Sequence, residues 1–363
     1  MSSLISANHK NQTGQAPDRP YWEYRLTSQD LRALDPLLDE LVATYNSAED
    51  LEFLGMAGFY AQELPRSIRR FLHNFRINEP LRGLCLISGF PIDDQKIGPT
   101  PSHWKWRSDE RRTIREQIFF ALLSTLLGEL FGWATQQDGH MIHDVFPIKE
   151  NENDQIGTGS KESITWHTED AFHNYRADWV GLMCLRNHDE TGTTASYLDL
   201  KLLTAEQIDT LFDDRYIILP DDSHLAKNSG WAAGEQVDPE VIARVFANIR
   251  KLREEPKKRP IFFGDRKQPY LCLDPYFMDP IEDDPGASDA LEALSRAIDQ
   301  NISSIVLQPG DVLFIDNLTT VHGRLPFTPR YDGTDRWIKR VNIARDIRKS
   351  REARLTVSSR VIL

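Results

Sequence analysis

His167 and Glu169 stand two residues apart in Trp166-His167-Thr168-Glu169-Asp170. On an extended chain, residues i and i+2 project to the same face, so an imidazole and a carboxylate at this spacing can occupy neighbouring positions on one metal ion. A His-x-Glu triplet is common by chance, and metal chemistry needs a further ligand. His322, in Val321-His322-Gly323-Arg324, can supply it. Pro309-Gly310 makes a turn and Val312 to Ile315 a strand, which places His322 in a following loop where Gly323 permits close backbone approach. Two histidines and one carboxylate leave three positions open on iron(II), enough for a bidentate 2-oxo acid and dioxygen. A structural zinc prefers four closed ligands, often with cysteine.

The segment Asp335 to Ile343 reads as a strand. Period-2 alternation puts Arg336, Ile338, Arg340 and Asn342 on one face, with Trp337, Val341 and Ile343 on the other. Two arginines on one face of a buried strand need anions, and the guanidinium fork matches a carboxylate bidentately. One can hold the distal carboxylate of 2-oxoglutarate and the other the carboxylate of an amino acid. The strand pattern alone is equally compatible with ordinary ion-paired surface arginines. The other histidines are isolated and read as surface or hydrogen-bonded side chains. His140-x-x-His143 lacks the His-Glu-x-x-His context of a zinc hydrolase and reads as a local surface feature.

These groups need a scaffold, and the 363 residues suffice for one. The first 20 residues are polar and read as a disordered tail without the apolar region of a signal peptide. Residues 21–363 read as a single domain. Its first part, 21–130, is mostly helical. Thr27 to Asp30 resembles a capping box, Pro65 opens a helix with apolar residues at 68, 71, 72 and 75, and Arg112 to Leu130 forms a helix with one apolar side. Leu84 to Ile87 is a short buried strand. Over 131–350 short strands alternate with turns: Trp179 to Leu185, Tyr216 to Leu219, Tyr270 to Leu273, Ile305 to Leu307, Val312 to Ile315 and Trp337 to Ile343. The pattern predicts a sandwich or jelly roll. A polar stretch at about 221–260, with a helix-like part around Val241 to Leu252, reads as an insertion able to cover a pocket.

The formal net charge of −12 disfavours nucleic acid and anionic membranes as partners and suits a small cationic ligand. The longest apolar stretch, Ile118 to Leu127, is too short to span a bilayer. Three cysteines, Cys85, Cys184 and Cys272, with no Cys-x-x-Cys pair, point to a reducing compartment and hence the cytoplasm. Oligomeric state is left open.

Taken together the chain resembles the clavaminate synthase-like, TauD-like family of iron(II)/2-oxoglutarate oxygenases, and within it the arginine β-hydroxylases. The resemblance is carried by Gly132 to Gly139, Trp166 to Phe172, Tyr175 to Asp178, Pro220 to His224, Ile315 to Asn317, Val321 to Arg324, Pro329 to Gly333 and Asp335 to Trp337. It runs from about Trp22 onward. It implies a mainly β fold with flanking helices around a double-stranded β-helix, the cupin-like jelly roll. It implies His167, Glu169 and His322 as iron ligands and catalytic residues. Arg336 then anchors 2-oxoglutarate with Thr193 beside it, and Arg340 holds the substrate carboxylate. Gln136 and Glu169 contact the α-amino group, Asp274 pairs with a cationic side chain, and Asp221 sits on a mobile lid.

One departure bears on the substrate. Family members that take arginine carry a second acid where this chain has Tyr276, and a serine where it has Gly157. The resemblance therefore implies hydroxylation of a free cationic L-amino acid, at C3 first and C4 second. L-arginine comes first, then L-lysine, L-ornithine or, with a neutral side chain, L-citrulline, with succinate and carbon dioxide released. Desaturation or dihydroxylation at the same iron, or a non-catalytic jelly-roll binding protein, are the rival outcomes. Halogenation is disfavoured by the presence of the Glu169 carboxylate.

Overall fold

Along Leu84 to Ile87 and Val312 to Ile315, alternate residues enter different cores, and this sorting organises the molecule. The computed structural model describes residues 20–106, 110–228, 238–279, 281 and 283–363. All but the last residue of the expected tail, and the middle of the expected insertion, lie outside the described residues. The helices are α1 (Ser28–Thr44), α2 (Leu51–Tyr60), α3 (Arg66–Asn78), α4 (Asp94–Ile97), α5 (Ile114–Thr125), α6 (Ala205–Leu211), α7 (Pro239–Glu254) and α8 (Pro285–Gln300). The strands are β1 (Trp22–Arg25), β2 (Leu84–Ser88), β3 (Glu129–Trp133), β4 (Ile142–Val145), β5 (Ile164–His167), β6 (Trp179–Arg186), β7 (Thr193–Tyr197), β8 (Phe262–Gly264), β9 (Pro269–Leu271), β10 (Ser303–Ile305), β11 (Val312–Asp316), β12 (Thr320–Arg324), β13 (Trp337–Ala344) and β14 (Val361–Ile362).

Among the described residues an eight-stranded sheet runs β1-β2-β11-β6-β13-β3-β14, with β4 also paired to β13. A four-stranded sheet runs β10-β7-β12-β5 and faces it. Leu84, Leu86, Val180, Leu182, Leu313, Ile315 and Ile338 of the large sheet meet Ala195 and Ile305 of the small one in the interior. Their neighbours Cys85, Ile87, Met183, Val312, Phe314, Val341 and Ile343 point outward and pack with α1, α2, α3 and α5. Behind the small sheet, Trp166 and Val321 pack against α6 and α8. Two facing sheets jacketed by helices make the expected double-stranded β-helix, because each strand has an apolar set for either face.

The helical signals translate directly. The Thr27 hydroxyl accepts from the Asp30 backbone N–H at 3.1 Å, and Asp30 accepts from the Thr27 N–H at 2.9 Å, closing the capping box. In α3 the buried residues are Ile68, Phe71, Leu72 and Phe75, the expected set. Other expectations need correction. α5 ends at Thr125 and is buried on nearly all sides, since it lies between other helices and the sheet, and Glu129–Trp133 is a strand. Tyr216 to Leu219 forms only isolated bridges, from Tyr216 to Arg259 and Ile218 to Met278. The helical part also supplies β1 and β2 to the large sheet. His322 lies in the middle of β12, not in a loop, because β5 and β7 pair with it on both sides. No helix among the described residues is long and apolar enough to cross a membrane.

Asp316 closes β11 with its side chain buried. Burial, reinforced by the charges of Glu79 and Asp178, outweighs the Leu318 N–H bond and pushes its carboxyl up to about 7. An aspartate in the unfolded chain ionises near pH ~4. Folding therefore retains a proton between these values, and stability from this group is lost as pH rises through about 7. Asp316→Asn, which can still accept from Leu318, is expected to raise Tm more at pH 8 than at pH 5. A constant Tm difference across that range, read by thermal denaturation, would contradict this account.

Candidate active site

β5 ends on His167, and antiparallel pairing sets His322 of β12 directly opposite it. Past β5 the chain turns and brings Glu169 back between the two imidazoles. The Glu169 Oε2 atom lies 3.7 Å from His167 Nε2 and 3.2 Å from His322 Nε2. Asn317, in the turn between β11 and β12, fixes the Glu169 backbone and so the position from which the carboxylate projects. Its Oδ1 accepts from the Glu169 N–H at 2.7 Å, and its Nδ2 donates to the carbonyls of Glu169 at 3.1 Å and Ala177 at 2.9 Å. Asp170 takes up a left-handed conformation at φ 51°, which aspartate tolerates better than most residues. Its carboxylate accepts from Trp133 Nε1 at 2.5 Å and meets His224 Nε2 at 2.9 Å. Gly323 is required by close approach, since a Cβ there would lie 2.4 Å from the Ile164 carbonyl.

The electrostatics suit a cation among these three groups. Burial opposes charge on Glu169, but Arg340 and the two imidazoles outweigh it and hold the carboxyl well below its usual range. Burial also opposes charge on His167, yet Glu169 and Asp274 push its pKa up to about 9. Burial lowers that of His322. Two nitrogens and a carboxylate oxygen, all within 4.8 Å of one another, are the donor set of an open iron(II) site. The three cysteines are free and buried, and none belongs to this group.

Arg336 and Arg340 flank Ile338, and all three line the same cavity, as the alternation predicted. Arg336 is 5% exposed and donates to the Thr193 hydroxyl at 3.4 Å. Burial lowers its pKa to about 10. It forms no ion pair among the described residues, and a 2-oxo diacid would supply the missing carboxylate. Arg340 pairs with Glu169 and donates to Gln136 Oε1 at 3.1 Å. Its register partner on β4 is His143, whose Nδ1 lies 2.8 Å from the same guanidinium. His143 is thus a buried member of the site and not the surface feature expected from its sequence context.

Asp274 lines the cavity on another side, together with Tyr276, Phe277 and Asp221. Burial outweighs the pull of His167 and, with the Asp221 charge, pushes the Asp274 carboxyl up to about 6. The neighbouring Leu273 is tied to the turn between His167 and Glu169 by bonds with Thr168 of 2.8 and 3.0 Å. Tyr276 contributes to the lining while remaining half-exposed. Asp221 accepts from the Ser223 N–H at 2.8 Å, and Gln136 Nε2 donates to Ser223 at 2.5 Å. Gly157 is also at the wall, with Val145 3.5 Å from where a Cβ would stand, so this side has room. All ten residues singled out as site candidates therefore gather around one cavity, with Gln136 reaching it through Arg340. Sequence reasoning missed His143, Asn317 as the clamp on Glu169, and Arg324, which also lines the cavity. His143 and Asn317 carry no spacing signal, whereas Arg324 stands two residues after His322, the same-face interval of a strand.

A jelly roll whose interior holds two imidazoles and a carboxylate, with a buried guanidinium that pairs with no anion among the described residues, defines an iron(II)- and 2-oxoglutarate-dependent dioxygenase. The chain belongs to the taurine catabolism dioxygenase TauD, TfdA family, whose sequence model matches residues 80–342. It is 45% identical over 339 residues to the enduracididine beta-hydroxylase of Streptomyces hygroscopicus, covering 93% of this chain and 98% of that protein. It is 42% identical over 341 residues to the L-ornithine/L-arginine 3-hydroxylase of Catenulispora acidiphila, with the same coverage. Among solved structures it is similar to the non-heme iron oxygenase OrfP in complex with Fe, succinate and (3S)-hydroxy-L-Arg. The TM-score is 0.89 at 46% identity, covering 94% of this chain and 99% of that one.

Proposed function

We propose that this protein hydroxylates C3 of a free cationic L-amino acid, L-arginine first, with iron(II), 2-oxoglutarate and dioxygen, and releases succinate and carbon dioxide. The observation that carries this reading is the placement of opposite charges around one cavity. Arg340 stands near Glu169, and Asp274 and Asp221 line the same space. A zwitterion with a cationic side chain matches that pattern. The names of the relatives, hydroxylases of enduracididine, ornithine and arginine, support the same class.

His167, Glu169 and His322 would hold the metal. Bound iron(II), with its two cosubstrates, supplies the oxidant that replaces a hydrogen on an unactivated carbon by a hydroxyl group. Arg336 and Thr193 orient the distal carboxylate of 2-oxoglutarate. Arg340 receives the substrate carboxylate, exchanging its internal partner Glu169 for the ligand. Glu169 and Gln136 accept from the α-amino group, and this clamp sets which carbon lies nearest the metal. Asp274, assisted by the Tyr276 hydroxyl, pairs with the far cationic end. The segment around Asp221, within a lid at about 221–260 of a single domain spanning 21–363, excludes water from the cavity.

The test is succinate release by anaerobically purified protein supplied with iron(II), ascorbate, 2-oxoglutarate and air. L-Arginine, L-lysine, L-ornithine, L-citrulline, L-histidine and L-asparagine are offered in turn, with products read by mass. A gain of one oxygen with a cationic amino acid is expected. OrfP is also solved with (3R,4R)-dihydroxy-L-Arg, so a gain of two is scored as well. No turnover of any cationic amino acid would sink the reading.

A further inference from the structure

Two guanidinium groups, not one, lie along the wall that would receive the cosubstrate. Arg336 immediately precedes β13 of the large sheet. Arg324 comes from β12, two residues after His322, so the two side chains project from the same strand face, and both line the cavity. Arg324 is 4% exposed. It donates to the carbonyls of Gly159, Glu162 and Leu325, the last two at 2.8 and 3.2 Å. These bonds hold the group in place and neutralise none of its charge. Its register partner across the small sheet is Thr193, whose hydroxyl accepts from Arg336.

Among the described residues neither arginine forms an ion pair. Burying one guanidinium without an anion is costly, and a second like charge in the same low-dielectric region adds repulsion. Burial together with the Arg336 charge pulls Arg324 down to about 9. A fold can keep such a pair where a ligand brings the negative charge. Strand geometry also sets a length. Same-face neighbours on a strand are about 6.6 Å apart at ~3.3 Å per residue. His322 and Arg324 are thus same-face neighbours along one wall of the cavity.

We propose that Arg324 is a specificity-determining positioning residue, a second cation that acts through space on the distal carboxylate and favours 2-oxo dicarboxylic over 2-oxo monocarboxylic acids. The inference rests on the function proposed above, in which 2-oxoglutarate is the cosubstrate.

The test measures Kd by calorimetry on anaerobic, iron(II)-loaded full-length protein, with 2-oxoglutarate and pyruvate as ligands. Arg324→Gln is expected to weaken 2-oxoglutarate about 10-fold and leave pyruvate unchanged, less than the roughly 30-fold or more for truncating a directly hydrogen-bonded buried charge partner, because Arg324 acts through space. Arg324→Lys, which keeps the charge and loses the fork, is expected to stay within about threefold of wild type. Unchanged 2-oxoglutarate affinity in Arg324→Gln would overturn the proposal. So would an equal loss in the lysine variant, or an equal loss for pyruvate, since either marks a structural role. Should Arg324→Gln fail to fold, Arg336→Gln decides. Residual preference for 2-oxoglutarate over pyruvate supports the second cation, and complete loss of preference overturns it. A wild type that binds no 2-oxoglutarate would instead overturn the function itself, and this inference with it.

Discussion

Glu169→Ala is expected to abolish hydroxylation and to weaken iron(II) binding by more than about 100-fold, the upper range for merely disturbing a ligand's supporting shell. Three effects act together. The metal loses one of three protein ligands and the only anionic one in the triad. The two imidazoles, 3.7 and 3.2 Å from the missing oxygen, no longer have a carboxylate between them. Arg340 loses its ion-pair partner and is left part-buried beside His143 and Gln136, where its charge repels an incoming cation. Calorimetric titration with iron(II) separates metal loss from catalytic loss, and succinate release reads the second. Glu169→Asp is the control, retaining the charge and shortening the reach. Full hydroxylation by Glu169→Ala would show that the ligand set has been assigned to the wrong residues.

Asp274→Asn is expected to lower kcat/KM for L-arginine by about 100-fold while changing that for neutral L-citrulline by less than about threefold. Truncating one partner of a buried charge pair costs roughly 2–5 kcal/mol, whereas a neutral side chain forms no such pair. The change is nearly isosteric, so the cavity keeps its shape. The Asp274 backbone also stays in place, because its neighbour Leu273 is bonded to Thr168 and not to the carboxylate. An equal fall for both substrates would point to a structural role for Asp274. No fall for either would place the cationic end elsewhere, with Asp221 the next acid on the cavity wall.

The sequence by itself determined the chemical inventory and the local rules that aim it. His167 and Glu169 are near neighbours along the chain, although a turn after β5, and not strand alternation, brings the carboxylate to the imidazoles. Arg336, Ile338 and Arg340 share a face because an extended chain repeats every two residues, and α1 and α3 follow from a capping box and a 3.6-residue apolar period. These are short-range consequences of backbone geometry, so they are legible in a linear string. Tertiary structure alone decided which distant segments meet. His322 belongs to a strand because β5 and β7 pair with it, and its register opposite His167 joins positions 155 residues apart. The same long-range pairing brings His143 to Arg340 and Arg324 beside Thr193, and it puts Asn317 behind Glu169. Strand register is set by the fit of whole apolar faces in the shared core, and no residue near His143, Asn317 or Arg324 in the sequence encodes that fit.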